Sequence, residues 1–229
     1  MTDVVYALWS KSHYNNSEIR YSVRSVWKHG KNLGRLFIVG MPVKFFQGHT
    51  TIPFSPAYRC KDVNIFATAL EACKIPDISD PFLHFNDDYF MLQDFEASTL
   101  PAWYGEPRFQ QERSQNVYDR TITILKLRGI ARPKFFDVHA PILIYKDCIQ
   151  KSCPKDWKKL KFLFKTMYAN QCPVLTPLEI SDCKVWTTTD LQRAKNRFMF
   201  STTDYPPPEV WDFLKAKFPD PSPFEKGNP

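Results

Sequence analysis

Residues 75 to 91, Ile-Pro-Asp-Ile-Ser-Asp-Pro-Phe-Leu-His-Phe-Asn-Asp-Asp-Tyr-Phe-Met, constrain the fold more than any other stretch. An apolar run stops abruptly at Asn86, Asp87 and Asp88 and resumes with Tyr89, Phe90 and Met91. Phe82, Leu83 and Phe85, bounded by Pro81 and Asn86, fit a short strand covered on both faces. Acids just past the carboxyl end of such a strand lie where open α/β sheets bind ligands. The bland alternative for an Asn-Asp-Asp triplet is a solvated turn.

A strand, then acids, then aromatics is the layout expected of a nucleotide-sugar transferase. There, hard Mg²⁺ or Mn²⁺ is held by acidic or amide oxygens and keeps positions open for a donor diphosphate. Asn86, Asp87 and Asp88 are the metal candidates. The rest of the composition is compatible with this. A chain of 229 residues with 43% apolar and 15% aromatic residues can bury one sizeable core, and one domain is expected. Its net charge of +7 biases it toward anionic partners, among them nucleotide sugars, phosphorylated glycans, lipid head groups and nucleic acid. No apolar run reaches membrane-spanning length, and Met1-Thr2-Asp3 leads straight into Val4 with no basic region or cleavage site. Cys60, Cys73, Cys148, Cys153, Cys172 and Cys183 show neither a C-x-x-C pair nor zinc spacing. A soluble, cytoplasmic protein with reduced thiols is expected.

In chain order, Val4 to Trp9 reads as a buried first strand. The polar loop after it, with Ser10, Lys11, His13, Asn15 and Asn16, is the place to look for contacts to the donor's base or ribose, a solvated loop being the alternative. Ser17 is a plausible N-cap for a helix over 18–29 ended by Gly30, burying Ile19, Val23, Val26 and Trp27. Arg20 and Arg24 share another face of it and suit a diphosphate clamp, or surface pairing with Glu18 or another acid. Leu36 to Val39 is a second strand, and residues 41–60, with Pro42, Pro53 and Pro56, read as a long surface loop or lid. A helix capped by Asp62 runs to Cys73 with Val63, Phe66, Ala67 and Leu70 inward. Such alternation predicts a mainly parallel sheet with helices on both faces.

Residues 94–114 lack periodicity and suit an acceptor-side loop, followed by a helix over 116–129. His139 stands alone between an apolar run and Pro141, a setting in which histidine is usually structural. Residues 151–165 are the most basic segment. They read as a helix burying Trp157, Leu160, Phe164 and Met167 and showing Lys155, Lys158, Lys159 and Lys161 outward, as a solvated face or a phosphate footprint. Strands are expected over 182–188 and 197–201, then a helix from Pro206–Pro208 with Val210, Trp211, Leu214 and Phe218 inward, then an extended strap over 218–225.

Several of these segments, in order, resemble the Stealth family of sugar-phosphate transferases, whose core resembles the glycosyltransferase-A fold. Val4-Val5-Tyr6 is similar to the opening of that family's first conserved region, and Glu18-Ile19-Arg20-Tyr21-Ser22-Val23-Arg24-Ser25-Val26 to a pattern in its second. The run from Ser79 to Asp88 is similar to the close of the second region, His139-Ala140-Pro141 to the third, and Phe218 to Glu225 to the end of the fourth. The resemblance implies one transferase domain, with donor and metal groups in residues 1–93 and the acceptor side in 94–229. It implies Asp87 and Asp88 at the metal, Arg20 and Arg24 on donor phosphate, and His139 as base or third ligand. Asp204, in Thr203-Asp204 where the family carries Asn-Asp, joins His139 and Asp88 as a catalytic candidate. The chain departs from the family at Leu8 to His13, where an acidic pattern is replaced by residues without a carboxylate.

Three functions therefore compete. The first is transfer of a sugar or sugar-1-phosphate from a nucleotide-sugar donor to a glycan hydroxyl. The second has the same donor but a nucleic-acid acceptor such as a hydroxymethylated base, which requires a positive groove with exposed aromatics, Trp103, Tyr104 and Phe109 being candidates. The third is a binding module without catalysis.

Overall fold

The computed structural model describes residues 1–8, 14–56, 58, 61–107, 112–181 and 183–226, Arg113 by its backbone only. The chain runs through β1 (Thr2–Leu8), α1 (Ser17–His29), β2 (Gly30–Lys31), β3 (Leu33–Gly40), β4 (Thr50–Pro53) and α2 (Lys61–Cys73). It continues through β5 (Phe82–Asn86), β6 (Tyr89–Met91), β7 (Phe95–Glu96), a 3-10 turn (Ala97–Thr99), β8 (Ala102–Tyr104) and α3 (Glu112–Leu127). Then follow β9 (Ile142–Ile144), α4 (Lys146–Ser152), α5 (Phe164–Ala169), β10 (Pro177–Glu179), β11 (Lys184–Val185), α6 (Thr188–Ala194), β12 (Met199–Thr202) and α7 (Pro208–Lys217).

The fold is α/β around a five-stranded sheet in the order β4-β3-β1-β5-β9, parallel except for β9, which runs antiparallel to β5. Every residue of β1 is buried, as a central strand covered on both faces requires. Alternation along the strands divides the core in two. Val4, Tyr6, Leu36, Ile38, Leu83 and Phe85 pack with α1, α6 and α7 on one face. Val5, Phe37, Val39 and Phe82 pack with α2, α3, α4 and α5 on the other. Each fully buried aliphatic or aromatic side chain here contributes about 1.5–3 kcal/mol relative to exposure.

Asp3, buried at the start of β1, is compensated. Its carboxylate accepts from the Arg35 and Ser79 backbone N–H groups at 2.7 and 2.9 Å and pairs with the Arg35 guanidinium at 3.0 Å. The smaller sheet β11-β12-β6 stands beside the main one, β12 antiparallel to β6. Among the described residues no helix is long and apolar enough to cross a membrane, and the cysteines described are free.

Several expectations are corrected. Residues 41–60 are not all loop: Thr50 to Pro53 add β4 to the sheet edge, where proline's missing donor is harmless. Residues 94–114 likewise contain β7 and β8, and β8 pairs with β10. The N-cap of α1 is Asn16, in the left-handed region with φ 62°, and not Ser17. The basic segment is not one helix. Pro154 disfavours helical backbone at the residue before it, so α4 stops at Ser152 and α5 begins only at Phe164. Phe164 and Met167 are nevertheless buried, while Trp157 and Leu160 are half-buried. The strand expected over 182–188 shrinks to β11, because Thr187 and Asp190 form a capping box that starts α6.

Candidate active site

The pairing of Ala7 with Asn86 fixes where β5 leaves the sheet, level with the end of β1. The chain then turns at Asp87 and Asp88 and enters β6. This turn is held from several sides. The Thr202 N–H donates to the Asp88 carbonyl at 3.2 Å, bringing the end of β12 alongside. From α1, Ser22 Oγ donates to the Tyr89 carbonyl at 2.5 Å and lies 2.8 Å from Tyr6 Oη, while Ser25 Oγ accepts from the Met91 N–H at 3.0 Å. Asn86 Nδ2 donates to Tyr89 Oη at 3.1 Å. The two serines of α1 thus position the acid-bearing turn by satisfying its backbone.

Electrostatically the turn is over-supplied with negative charge. The Asp87 carboxyl is pushed up to about 7, first by desolvation and then by the neighbouring Asp88 and Glu18, with Lys61 opposing. Glu18 is itself buried, on the first turn of α1. A carboxyl raised chiefly by desolvation, with like charges adding to it, is returned to its charged form by a cation at that place, and two carboxylates with an adjacent amide suit a hard divalent ion that keeps positions for phosphate. The residues present therefore fit Mg²⁺ or Mn²⁺. Among the described residues no three His, Cys, Asp or Glu side chains converge as a metal cage, so His139 does not complete a set with Asp87 and Asp88.

A cavity of about 260 Å³ opens beside the turn, and Asn86, Asp88, His139, Lys61, Lys165 and Lys184 are among its walls. The structure thus brings His139 to the same cavity as Asn86 and Asp88. His139 is half-buried at the centre of a tight turn in which the Ala140 N–H donates to the Val138 carbonyl at 2.8 Å. Lys165 clamps this turn, its Nζ donating to the Ala140 carbonyl at 2.9 Å and to that of Val138. Asp137 accepts from the Lys165 and Thr166 N–H groups at 3.3 and 2.7 Å, tying the same loop to the start of α5. His84, buried on β5 and also lining the cavity, is held neutral, its pKa pushed down to about 3 by burial and by Lys165.

Other candidates fall elsewhere. Arg24 donates through Nε and Nη2 to the two carboxylate oxygens of Glu225, each at 2.7 Å, and through Nη1 to the Phe218 and Pro219 carbonyls. Arg20 lies over the Phe45 ring at 4.2 Å with Nε 3.6 Å from Glu225. Neither arginine lines the cavity: the C-terminal strap supplies the acid that engages the face they share. Asn15, with φ 52°, is exposed in the turn before α1, and Asp204 is exposed two residues beyond Thr202. Ser10, Lys11, His13 and Phe109 lie outside the described residues. Trp103 is buried against Phe198, and Tyr104 carries Lys134 Nζ 3.9 Å from its ring centre, so neither offers a bare stacking surface. Sequence reasoning missed Lys61, Lys165, Lys184 and Glu18 as site residues; only Glu18, on the first turn of a helix following the first strand, carried a local signal.

No protein-family model matches the sequence, and no curated protein matches it. The solved structures that the chain matches include two glycosyltransferases. One is mouse xyloside xylosyltransferase 1 in its apo form, 12% identical with a TM-score of 0.44, covering 87% of this chain and 96% of that one. The other is a glycosyltransferase involved in the glycosylation of the major capsid of PBCV-1, 9% identical with a TM-score of 0.44, covering 94% of this chain and 98% of that one. Both neighbours are glycosyltransferases; at these values the likeness concerns the course of the backbone alone.

Proposed function

We propose that the chain is a transferase that moves a sugar or sugar-1-phosphate from a nucleotide-sugar donor to a hydroxyl of a glycan, with Mg²⁺ or Mn²⁺. One observation carries this reading: the turn that bears Asp87 and Asp88 at the carboxyl end of β5 borders a cavity whose walls include Asn86, Asp88 and three lysines. Negative charge gathered for a cation next to positive charge suited to phosphate is what a cation-bound diphosphate requires. The motif resemblance to the Stealth family supports it.

Asp87 and Asp88, with Asn86, are the residues to hold the ion, which when bound would offset charge on the donor diphosphate. Lys61, Lys165 and Lys184 replace Arg20 and Arg24 as the groups to offset phosphate charge, because they line the cavity and the arginines do not. His139 is the base to take the acceptor's hydroxyl proton, its turn fixed by Lys165. Asp204 stays a second candidate for that step on the strength of the sequence resemblance.

Two bond changes are open to such a site. If the acceptor oxygen attacks the donor's sugar-bearing phosphorus, a new P–O bond forms, the bond to the nucleotide breaks and a nucleoside monophosphate leaves. If it attacks the anomeric carbon, a C–O bond forms and a nucleoside diphosphate leaves. The deciding experiment incubates the protein with Mn²⁺ or Mg²⁺, a panel of nucleotide sugars and glycan acceptors, and identifies the nucleotide released. Release of neither nucleotide, with no binding of any donor, would leave a binding module in place of an enzyme.

A further inference from the structure

The cavity beside Asp88 has a neighbour built from the same two walls. α3 lends Ser114 to the first cavity, and Glu112, Asn116, Val117 and Arg120 to a groove of about 380 Å³. The segment leading into α5 lends Leu163, Phe164 and Lys165 to the cavity and Lys161 to the groove. The two walls are joined where the Leu163 N–H donates to Thr121 Oγ1 at 3.0 Å. Arg120 and Lys161 line the groove on these same two walls, with Lys155, Lys158 and Lys159 exposed on the turns just before Lys161.

These cations are not engaged in holding the fold. Among the described residues Arg120, Lys155, Lys159 and Lys161 form no ion pair, while Arg24 and Arg35 are committed to Glu225 and Asp3. Among the described residues Glu112 is the one acid on the groove wall, and Asp156 lies among the lysines. The excess is positive, and the abandoned helix explains its placement. Because α4 ends at Ser152, the lysines do not spread around a cylinder but ride on turns that Trp157 anchors against Tyr58 and Phe66 and that lead to Lys161 on the groove wall.

We infer that this groove is the acceptor channel and that it takes an anionic glycan, one carrying carboxylate or sulfate groups, whose hydroxyl is presented to His139. The inference rests on the transferase reading above. A glycan is favoured over nucleic acid because the two described aromatics that a base would have to stack on are not bare, Trp103 being buried and Tyr104 covered by Lys134. Attraction along such a groove is electrostatic and weakens with salt.

The test is binding to the full chain, without donor or divalent cation, of four fluorescent probes of equal length at low salt: a uronate oligomer, a sulfated oligosaccharide, a neutral dextran oligomer and single-stranded DNA. At least one charged glycan should bind more tightly than dextran and DNA. The Arg120→Glu/Lys161→Glu double variant should weaken that binding roughly tenfold, Arg120→Lys should retain it, and added salt should reduce it. Equal binding of dextran and the charged glycans would overturn the inference, as would a preference for DNA or an unaltered double variant. Arg120 is exposed and Lys161 half-buried, and circular dichroism should report an intact fold in each variant; an unfolded double variant is replaced by the single Arg120→Glu change. Nucleotide release from the donor by wild-type protein, measured apart, reports on the transferase reading alone.

Discussion

Arg24 and Glu225 meet end-on, Nε to Oε1 and Nη2 to Oε2, both at 2.7 Å, across a sequence separation of 201 residues. Their side chains are 13% and 6% exposed, so the pair is mostly withdrawn from water. Removing one partner leaves a desolvated charge, which costs about 3–5 kcal/mol when fully buried. Arg24→Ala and Glu225→Gln should each lower stability by about 2–4 kcal/mol in urea denaturation, given the residual exposure. The double variant Arg24→Ala/Glu225→Ala should lose less than the sum of Arg24→Ala and Glu225→Ala. Strict additivity would mean that the pair contributes nothing of its own.

The same pair sets an acid limit. Burial alone would raise the Glu225 carboxyl, but Arg24, the Ser222 N–H and Arg20 together outweigh it and hold the group below its ordinary value of 4.5. A depressed acid stabilises the fold above its unfolded pKa and loses that contribution as pH falls through the folded value. Wild-type stability should therefore drop as pH falls below about 4.5. In Glu225→Gln this part of the decline should be missing, so the two melting-temperature profiles converge toward acid. Parallel profiles down to pH 2 would contradict it.

Divalent cation should stabilise the protein through the acid turn. At a concentration 100 times its dissociation constant, Mn²⁺ would add about 2.7 kcal/mol to unfolding stability. Asp88→Asn should abolish the shift and lower turnover at least about a hundredfold with the circular dichroism spectrum unchanged. Without cation, Asp87→Asn should melt no lower than wild type, since it removes a desolvated carboxyl beside Asp88. An undiminished Mn²⁺ shift in both variants would remove these residues from the metal site.

Lys165 is expected to matter through the His139 turn. Lys165→Met keeps much of the side-chain volume but removes the ammonium that holds the Val138 and Ala140 carbonyls. Lost charge-assisted hydrogen bonds of this kind cost about 1.5–3 kcal/mol. The Ala140 amide should exchange faster with solvent, and turnover should fall about 10- to 100-fold as His139 loses its orientation. Unchanged exchange at Ala140 would show that the turn holds itself.

What the sequence disclosed and what it withheld follow from how far apart the interacting residues lie. Leu83 and Phe85, bounded by Pro81 and the acids, carried their own strand signal, and Ile19, Val23 and Val26 their own helical one. β4 and β8 exist because a neighbour offers hydrogen-bonding partners, and nothing in their three or four residues announces it. The shared face of Arg20 and Arg24 was legible from spacing, but the acid that engages it comes from the far end of the chain. Lys165 reached the site unannounced for the same reason, arriving from 76 positions beyond Tyr89. The helix drawn through 151–165 gave Phe164 and Met167 their correct burial and failed on continuity, because Pro154 outweighs the apolar spacing around it.

The division of the core by odd and even residues has a consequence for how this chain can change. In β5, Leu83 and Phe85 serve one side while Phe82 serves the other and His84 faces the cavity. Swapping a side chain for another of similar volume disturbs one side only. Inserting or deleting a single residue between Phe82 and Asn86 would exchange the two sides, turn His84 into the wrong core and rotate the acids out of line with β1. This stretch can vary in composition but not in length, and the location of the chemistry is in that sense a matter of counting.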